Sequence, residues 1–565
     1  MPLVLLNRRR RGFTAFSPST LFALAEPGVW FDPSDLTTLF QDTAGTTPVT
    51  APGNTVGLML DKSKGLALGP EVVVNGNFAT DTDWIKGTGW TISGGAAIHS
   101  GTVTGNLQQN VLTAGRTYKI TMNVSGGTVL VLAGGGAFTG AVTGSVSAIL
   151  TATGPQIFIQ AATDGVTVDN VSYRELPGNH ATQATLAARP TYSIEPVGGR
   201  RNLLLQTEAF NEAVWTKSNG SFTSTTETSP IGTATADVFT QSSGVTSAAL
   251  FYINNTYPST PASTALAFSI YAKRGAKDFL VVGTDVTASA GSNSYSYFNL
   301  SNGTVGTAAS GHTLSIASVG SGWYRCTLSA TSRASVQNTT YYVGHADTNG
   351  SLTVVGSGST SFWGAQIELG STATAYQRVT TQYDVTEAGV ASVSYLYFDG
   401  GGDFMSTGTI TPGTDKAQVF AGVRKLNGNT SVIAELSDSI FSNSGSLLLY
   451  SDGSSLRFAS RGTATLVDIL GAASAPSTKI VTGLGDISGD TATLRFDGVQ
   501  VATSTTDQGT GNYLAYPLYL GRRGGTSFPF EGHIYSLITR FGPTLDAPTI
   551  ASTETWVAGK TGIVI

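Results

Sequence analysis

At 565 residues the chain is too long for a single core, and roughly two to four domains are expected. Charged residues make up only 12% and glycines number 69, in a chain otherwise rich in Thr, Ser and Val; this mixture favours strands joined by glycine turns and argues against helical bundles. The net charge of -5 exerts no general pull on nucleic acid or anionic membrane, and 40% hydrophobic content is enough for packed cores. The single cysteine, Cys326, precludes an intrachain disulfide and reads as a small buried side chain in a Trp-Tyr-Arg-Cys strand. Nothing in cysteine usage therefore points to an oxidising compartment.

Residues 1–27 read as an arm. Apolar Pro2–Leu6 precedes Arg8–Arg11, the reverse order of a signal peptide. The basic run is too narrow for a nucleic-acid or membrane patch and suits docking on an acidic partner surface, with Arg8, Arg9, Arg10, Arg11, Phe13 and Phe16 as candidate anchors. Ser17 and Pro18 predict a short helix over Pro18–Ala25, too short to stand alone and so expected to order on a partner. Residues 28–66 and 177–200 read as a small connecting module, with one strand over Asn54–Leu60. It is interrupted by an inserted unit, 67–176, placed in a surface loop.

The inserted unit shows strand patterns at Ala96–His99, Gly105–Val111, Thr117–Val124, Thr128–Leu132, Gln156–Ala161 and Val166–Tyr173, the spacing of a β-sandwich. Its most apolar stretch, Val129–Leu150, is broken by Gly and Thr and reads as two or three strands, not a membrane helix. A second unit, 201–385, repeats the plan through Ala265–Lys273, Phe279–Thr284, Ser294–Asn299, Gly322–Ala330, Thr340–His345 and the closing strand Phe362–Leu369. Phe268, Ile270 and Ala272 alternate there with Ser269, Tyr271 and Lys273, the period of a half-buried strand. A third unit, 386–565, carries strands near Ala417–Lys425, Ser446–Ser451, Ser454–Ser460 and Thr491–Phe496, then a helix over Thr549–Lys560 stopped by Gly562. The expected class is all-β: tandem β-sandwich (jelly-roll) domains with a short N-terminal arm and a C-terminal helix.

Three resemblances follow from these stretches. NGNFATDTDW with the closing Val168–Tyr173 resembles carbohydrate-binding jelly rolls found beside glycanases. NLLLQTEAFNEAVW, FSIYAKRG, GWYRC and FWGAQIELGSTATAY resemble a jelly-roll module of tailed-bacteriophage virion proteins. YLYFDGGGDFM, YLGRRGG, FEGHIYSLI and the last helix resemble concanavalin A-like (laminin-G-like) sandwiches frequent at the C-termini of phage tail proteins. Together they imply a virion structural protein of the tail fibre or spike type that attaches to host surface polysaccharide or glycan. The arm would engage other tail proteins, and a homotrimer is the family expectation. It would be made in the host cytoplasm and end at the particle surface, with no nucleic-acid partner and no membrane insertion. Two other readings stand beside it: a purely structural head-fibre, decoration or baseplate protein, and a polysaccharide depolymerase.

A glycan site needs exposed aromatic faces beside hydrogen-bonding side chains. Trp323 and Trp363 lie inside strand patterns and read as core. Trp84 and Trp90, in a glycine-rich opening, are surface candidates, as are Tyr513 and Tyr516, and Arg522 and Arg523 could grip an anionic sugar. The first resemblance points to Asp169 as a ligand of a structural calcium, with Asn77 and Asp81 able to approach it. The competing reading of that trio is solvated or capping side chains, and no cofactor is required. Catalysis is not expected. No strand carries Glu-x-Asp-x-Glu, the five histidines are scattered, and Gly559-Lys560-Thr561 lacks a phosphate loop because Glu554 stands where glycine is needed.

Overall fold

The computed structural model describes residues 16–101, 105–134, 136–137, 140–254, 262–285, 293–334 and 339–565. These are almost entirely strands and turns, with an α-helix, α1, over Ala547–Thr561, so the chain is all-β with a C-terminal helix. Two units are present: residues up to Ser193 together with Val393–Ile565, and Ile194–Ser392. Arg8–Arg11 and Phe13 lie outside the described residues.

The first unit contains a two-sheet sandwich. One sheet runs Ser392–Asp399, Glu531–Phe541, Lys416–Lys425, Ser477–Asp486, Thr491–Phe496, Val499–Ser504, and Gly28–Phe31 adds along Glu531–Phe541. The facing sheet runs Leu39–Phe40, Leu58–Met59, Ala181–Thr182, Met405–Ile410, Tyr516–Leu520, Ser431–Leu436, Ser446–Asp452, Ser455–Arg461, Leu466–Ala472. Small residues let the sheets approach: a Cβ on Gly483 would fall 2.4 Å from the Phe458 ring. α1 covers the other face of the first sheet. Its Val557 joins Phe420, Ile480 and Ile538 in one cluster, and Gly422 leaves room for Thr561. Asp546 caps the helix by accepting from the Thr549 N–H at 2.9 Å, and Gly562, at φ 73°, ends it. Glu554 is buried and paired with Arg495 at 2.8 Å.

This topology corrects the connecting module. Its strands are two to six residues long, too short to enclose a core, and those of 28–66 with Ala181–Thr182 are built into the sheets of the C-terminal sandwich. Of Asn54–Leu60 only Leu58–Met59 is strand. The short helix expected in the arm is corrected likewise. Pro18–Phe22 is a 3₁₀ helix capped by Ser17, and it is ordered by its own chain. Leu21 and Phe22 are buried against Trp30 and Ile550, and Arg540 donates to the Leu21 carbonyl at 2.7 Å.

The inserted unit is one curled sheet in the order Ile85–Lys86, Asn106–Asn110, Gln156–Ala161, Thr117–Ala133, Thr167–Glu175, Ala96–His99, Trp90–Ser93, with Val142–Thr151 also on the long strand. Thr117–Ala133 is continuous where two strands are expected from sequence. It turns at Gly126 (φ 72°) so that one half pairs with Thr167–Glu175 and the other with Gln156–Ala161. The base is held by Asp61. Its wholly buried carboxylate accepts the N–H groups of Trp30, Ser63 and Asn179, and its own N–H donates to His180 Nδ1. Among the described residues no helix is long and apolar enough to cross a membrane.

The second unit packs two six-stranded sheets of described strands. One is Trp215–Ser218, Ala249–Asn254, Thr340–Ala346, Phe279–Thr284, Ser294–Asn299, Thr304–Val305. The other is Gly220–Glu227, Ala236–Gln241, Ser359–Leu369, Ala265–Arg274, Trp323–Thr331, Thr313–Gly320. Phe210, Trp215, Phe239, Phe251, Phe268 and Phe362 centre the core between them, and Cys326 is buried in it.

Candidate functional site

The strand Ser359–Leu369 contains a break in parity. Phe362, Ala365 and Ile367 all enter the core, which strict alternation forbids. A β-bulge resolves it: Ser269 pairs with Gln366 and Tyr271 with Trp363, so Gly364 and Ala365 together oppose Ile270. Gly364 has φ 62°, a left-handed backbone that glycine adopts freely, and a Cβ there would sit 3.1 Å from the Tyr271 ring. The bulge thereby gathers Tyr271, Trp363 and Tyr376 on the face away from the core.

The three rings meet edge to face or tilted. Centroids are 5.2 Å apart for Tyr271–Trp363, 4.7 Å for Trp363–Tyr376 and 6.2 Å for Tyr271–Tyr376. Trp363 is almost fully buried and donates to the Thr235 hydroxyl, whereas the two tyrosines are half-buried. With exposed Ile231 and Val319 they line a groove of about 520 Å³, within the range of about 300–1,000 Å³ common for ligand sites.

Its charged members are Glu208, Arg378 and Glu387. The Tyr376 hydroxyl donates to Glu208 at 3.1 Å and lies 2.7 Å from the Thr207 hydroxyl. Burial pushes the Glu208 carboxyl above the usual range, although Tyr376 and Arg378 oppose it. Burial also acts to raise Glu387, but hydrogen bonds from Arg201 and Gln377 outweigh it and hold that carboxyl below the usual range. Arg378 is half-exposed, with Nε 3.7 Å from Glu208 and a terminal nitrogen 3.9 Å from Asp384. Rings, a carboxylate and a guanidinium around one groove can stack on a sugar face and bond its hydroxyls.

The residues expected from sequence to bind glycan lie elsewhere, and most are interior. Trp84 and Trp90 are 6% and 4% exposed, because their rings complete the core of the inserted unit while Nε1 bonds the carbonyls of Asn75 and Gly105. Tyr513 is buried with its hydroxyl 2.6 Å from that of Ser460, and Tyr516 is half-buried and donates to the Ser444 carbonyl. Arg522 is tied to the Thr526 carbonyl, and Arg523 is buried in an ion pair with Glu435 at 2.8 Å. Of the calcium trio, Asn77 is exposed, Asp81 pairs with Lys86, and Asp169 accepts from the N–H and side-chain amide of Asn170. Among the described residues no group of three or more His, Cys, Asp or Glu could hold a metal. Phe16, a candidate anchor, packs half-buried beside α1. Trp323 and Trp363 are interior as expected. The parity break around Gly364 was a signal for the groove, but Glu208 and Tyr376 are 168 residues apart and no local pattern joins them.

No family model and no curated protein matches the chain. Solved structures with partial similarity include the CBM40 module of a Ruminococcus gnavus IT-sialidase bound to α2,3-sialyllactose, 18% identical, with 25% of this chain and 84% of that one covered at a TM-score of 0.21. The receptor-binding domain of botulinum neurotoxin type G is 11% identical over 29% of this chain and 42% of its own, TM-score 0.23. Domains LG4-5 of the mouse laminin α1 chain are 13% identical over 53% and 88%, TM-score 0.21. The assignment to the β-sandwich class rests on the chain's own sheets.

Proposed function

We propose that the chain is a non-enzymatic attachment protein that binds surface glycans through the groove of its second unit. We place it among the structural proteins of tailed-bacteriophage particles, as a tail fibre or receptor-binding component. The observation that carries the binding reading is the ring-lined groove with Glu208 and Arg378 at its polar end. The phage placement is supported by the resemblance of NLLLQTEAFNEAVW and FWGAQIELGSTATAY to virion jelly rolls. In a homotrimer several weak sites act at once and multiply avidity. The inserted unit has a structural part in this scheme, since its tryptophans are spent on its core.

The test is binding of the full chain to an array of bacterial surface polysaccharides, beside a Val319→Arg variant that places charge at the groove. Val319 is 41% exposed on the strand Thr313–Gly320, so the change leaves the core untouched. Binding by the parent and its loss in the variant are expected. Equal binding by both removes the groove as the site, and no binding at all leaves a purely structural role in place of attachment. Antibodies raised against the chain should decorate purified phage particles; failure to label any would withdraw the virion placement.

A further inference from the structure

We infer that the groove selects a neutral sugar with two adjacent hydroxyls, one donating to Glu208 and one accepting from Arg378, and turns acidic sugars away. This rests on the glycan reading and narrows it. The side chain of Arg378 is 46% exposed, and its two ion pairs, at 3.7 and 3.9 Å, lie beyond hydrogen-bond reach. Its donors are therefore available to an incoming oxygen. Glu208 presents Oε1 to the Tyr376 hydroxyl and Oε2 toward Arg378, so an acceptor and a donor stand 3.7 Å apart at the edge of the ring cluster. Adjacent hydroxyls on a sugar ring set against Tyr271 and Tyr376, whose planes are 78° apart, meet that spacing, because each hydroxyl both donates and accepts.

Charge decides between neutral and acidic sugars. Three carboxylates (Glu208, Asp384 and Glu387) and three guanidiniums (Arg201, Arg325 and Arg378) lie in the groove and around it, Arg325 5.4 Å from the Tyr271 ring centroid. Arg201 is committed to Glu387 at 2.9 Å and Arg325 donates to the Ser269 hydroxyl at 3.0 Å, so at the polar end Arg378 faces two carboxylates, Glu208 and Asp384. Burial already disfavours the charged form of Glu208, and a ligand carboxylate would add a like charge at short range. A neutral ligand adds hydrogen bonds without that penalty.

The experiment is calorimetric titration of the full chain with neutral oligosaccharides from dextran, galactan and mannan, and with oligogalacturonate. Glu208→Gln and Arg378→Gln serve as variants, since both positions are only partly buried and thermal unfolding verifies that each folds. At least one neutral series is expected to bind, with an affinity that salt barely changes. Each substitution should weaken it about tenfold or more, the effect of removing a hydrogen bond to a charged group. Glu208→Gln should also admit oligogalacturonate. Tighter binding of oligogalacturonate than of every neutral series by the parent overturns this inference and leaves the attachment reading standing. So does a loss of less than about threefold in both variants. No binding of either class overturns this inference, while the polysaccharide array decides separately whether attachment stands.

Discussion

Arg523 lies between two rings, its guanidinium 4.7 Å from the centroid of Phe441 and 4.8 Å from that of Phe528. Its Nε donates to Glu435, whose carboxylate is wholly buried and also accepts the Ile440 N–H at 2.7 Å. This pair organises a turn and is not available to a ligand. Arg523→Ala should cost about 3–5 kcal/mol in urea unfolding, because it strands a buried carboxylate, and should leave glycan binding by the folded protein unchanged. His345 contributes to acid sensitivity. It is buried, neither ring nitrogen has a hydrogen-bond partner among the described residues, and its pKa is pushed down to about 4, first by burial and then by the Lys277 charge. The unfolded imidazole titrates near 6.5, so below that pH the unfolded chain binds a proton that the folded chain refuses. The stabilisation is complete above about pH 6.5 and is lost as pH falls toward 4, an effect on the order of 3 kcal/mol. Thermal unfolding across that window should flatten in His345→Phe; an unchanged slope would assign the acid lability elsewhere. His180 and His312, both held low chiefly by burial, act in the same direction.

At the scale of elements, one glycine sets the groove. The bulge at Gly364 switches which face of the strand Ser359–Leu369 enters the core, and so puts Trp363 behind the tyrosines. Gly364→Ala imposes a left-handed backbone on a residue with a Cβ, about 1–2 kcal/mol, and drives that Cβ to 3.1 Å from Tyr271. Stability should fall by that amount while glycan affinity falls further, since the rings must move. A stability loss with affinity intact would show that the rings do not contact the ligand. α1 follows local rules instead: Asp546, Pro548 and Gly562 mark its ends whatever it packs on.

At the scale of the molecule, the C-terminal sandwich is assembled from distant stretches. Gly28–Phe31, Leu39–Phe40, Leu58–Met59 and Ala181–Thr182 join sheets most of whose strands lie after residue 391. Residues 386–565 expressed alone would leave Met405–Ile410 as an open edge and Trp30 missing from the α1 cluster, and circular dichroism should find no cooperative unfolding. The opposite excision should succeed. Gly69 and Glu175 are bonded backbone to backbone at 2.8 Å, so a Gly-Gly link can replace residues 70–174. The shortened chain should still unfold cooperatively, weakened by about 1.5–3 kcal/mol, because Ile149 no longer covers Leu58 and Leu60. A chain that failed to fold would make the inserted unit part of the sandwich core.

The sequence by itself determined what depends on near neighbours along the chain. Strand alternation at Phe268, Ile270 and Ala272, the caps of α1, the all-β class and the interior place of Trp323 and Trp363 were legible because period and turn chemistry act over a few residues. Only the tertiary structure decided which aromatics meet solvent. Trp84 and Trp90 sit among glycines and look exposed, yet the curled sheet closes over them. Tyr271 sits in a regular strand, yet it faces a groove finished by Glu208, Ile231 and Arg378 from separate segments. Burial is set by long-range packing, and so is the pairing of short strands with distant sheets. That is why the groove and the three-segment sandwich emerge only in the folded chain.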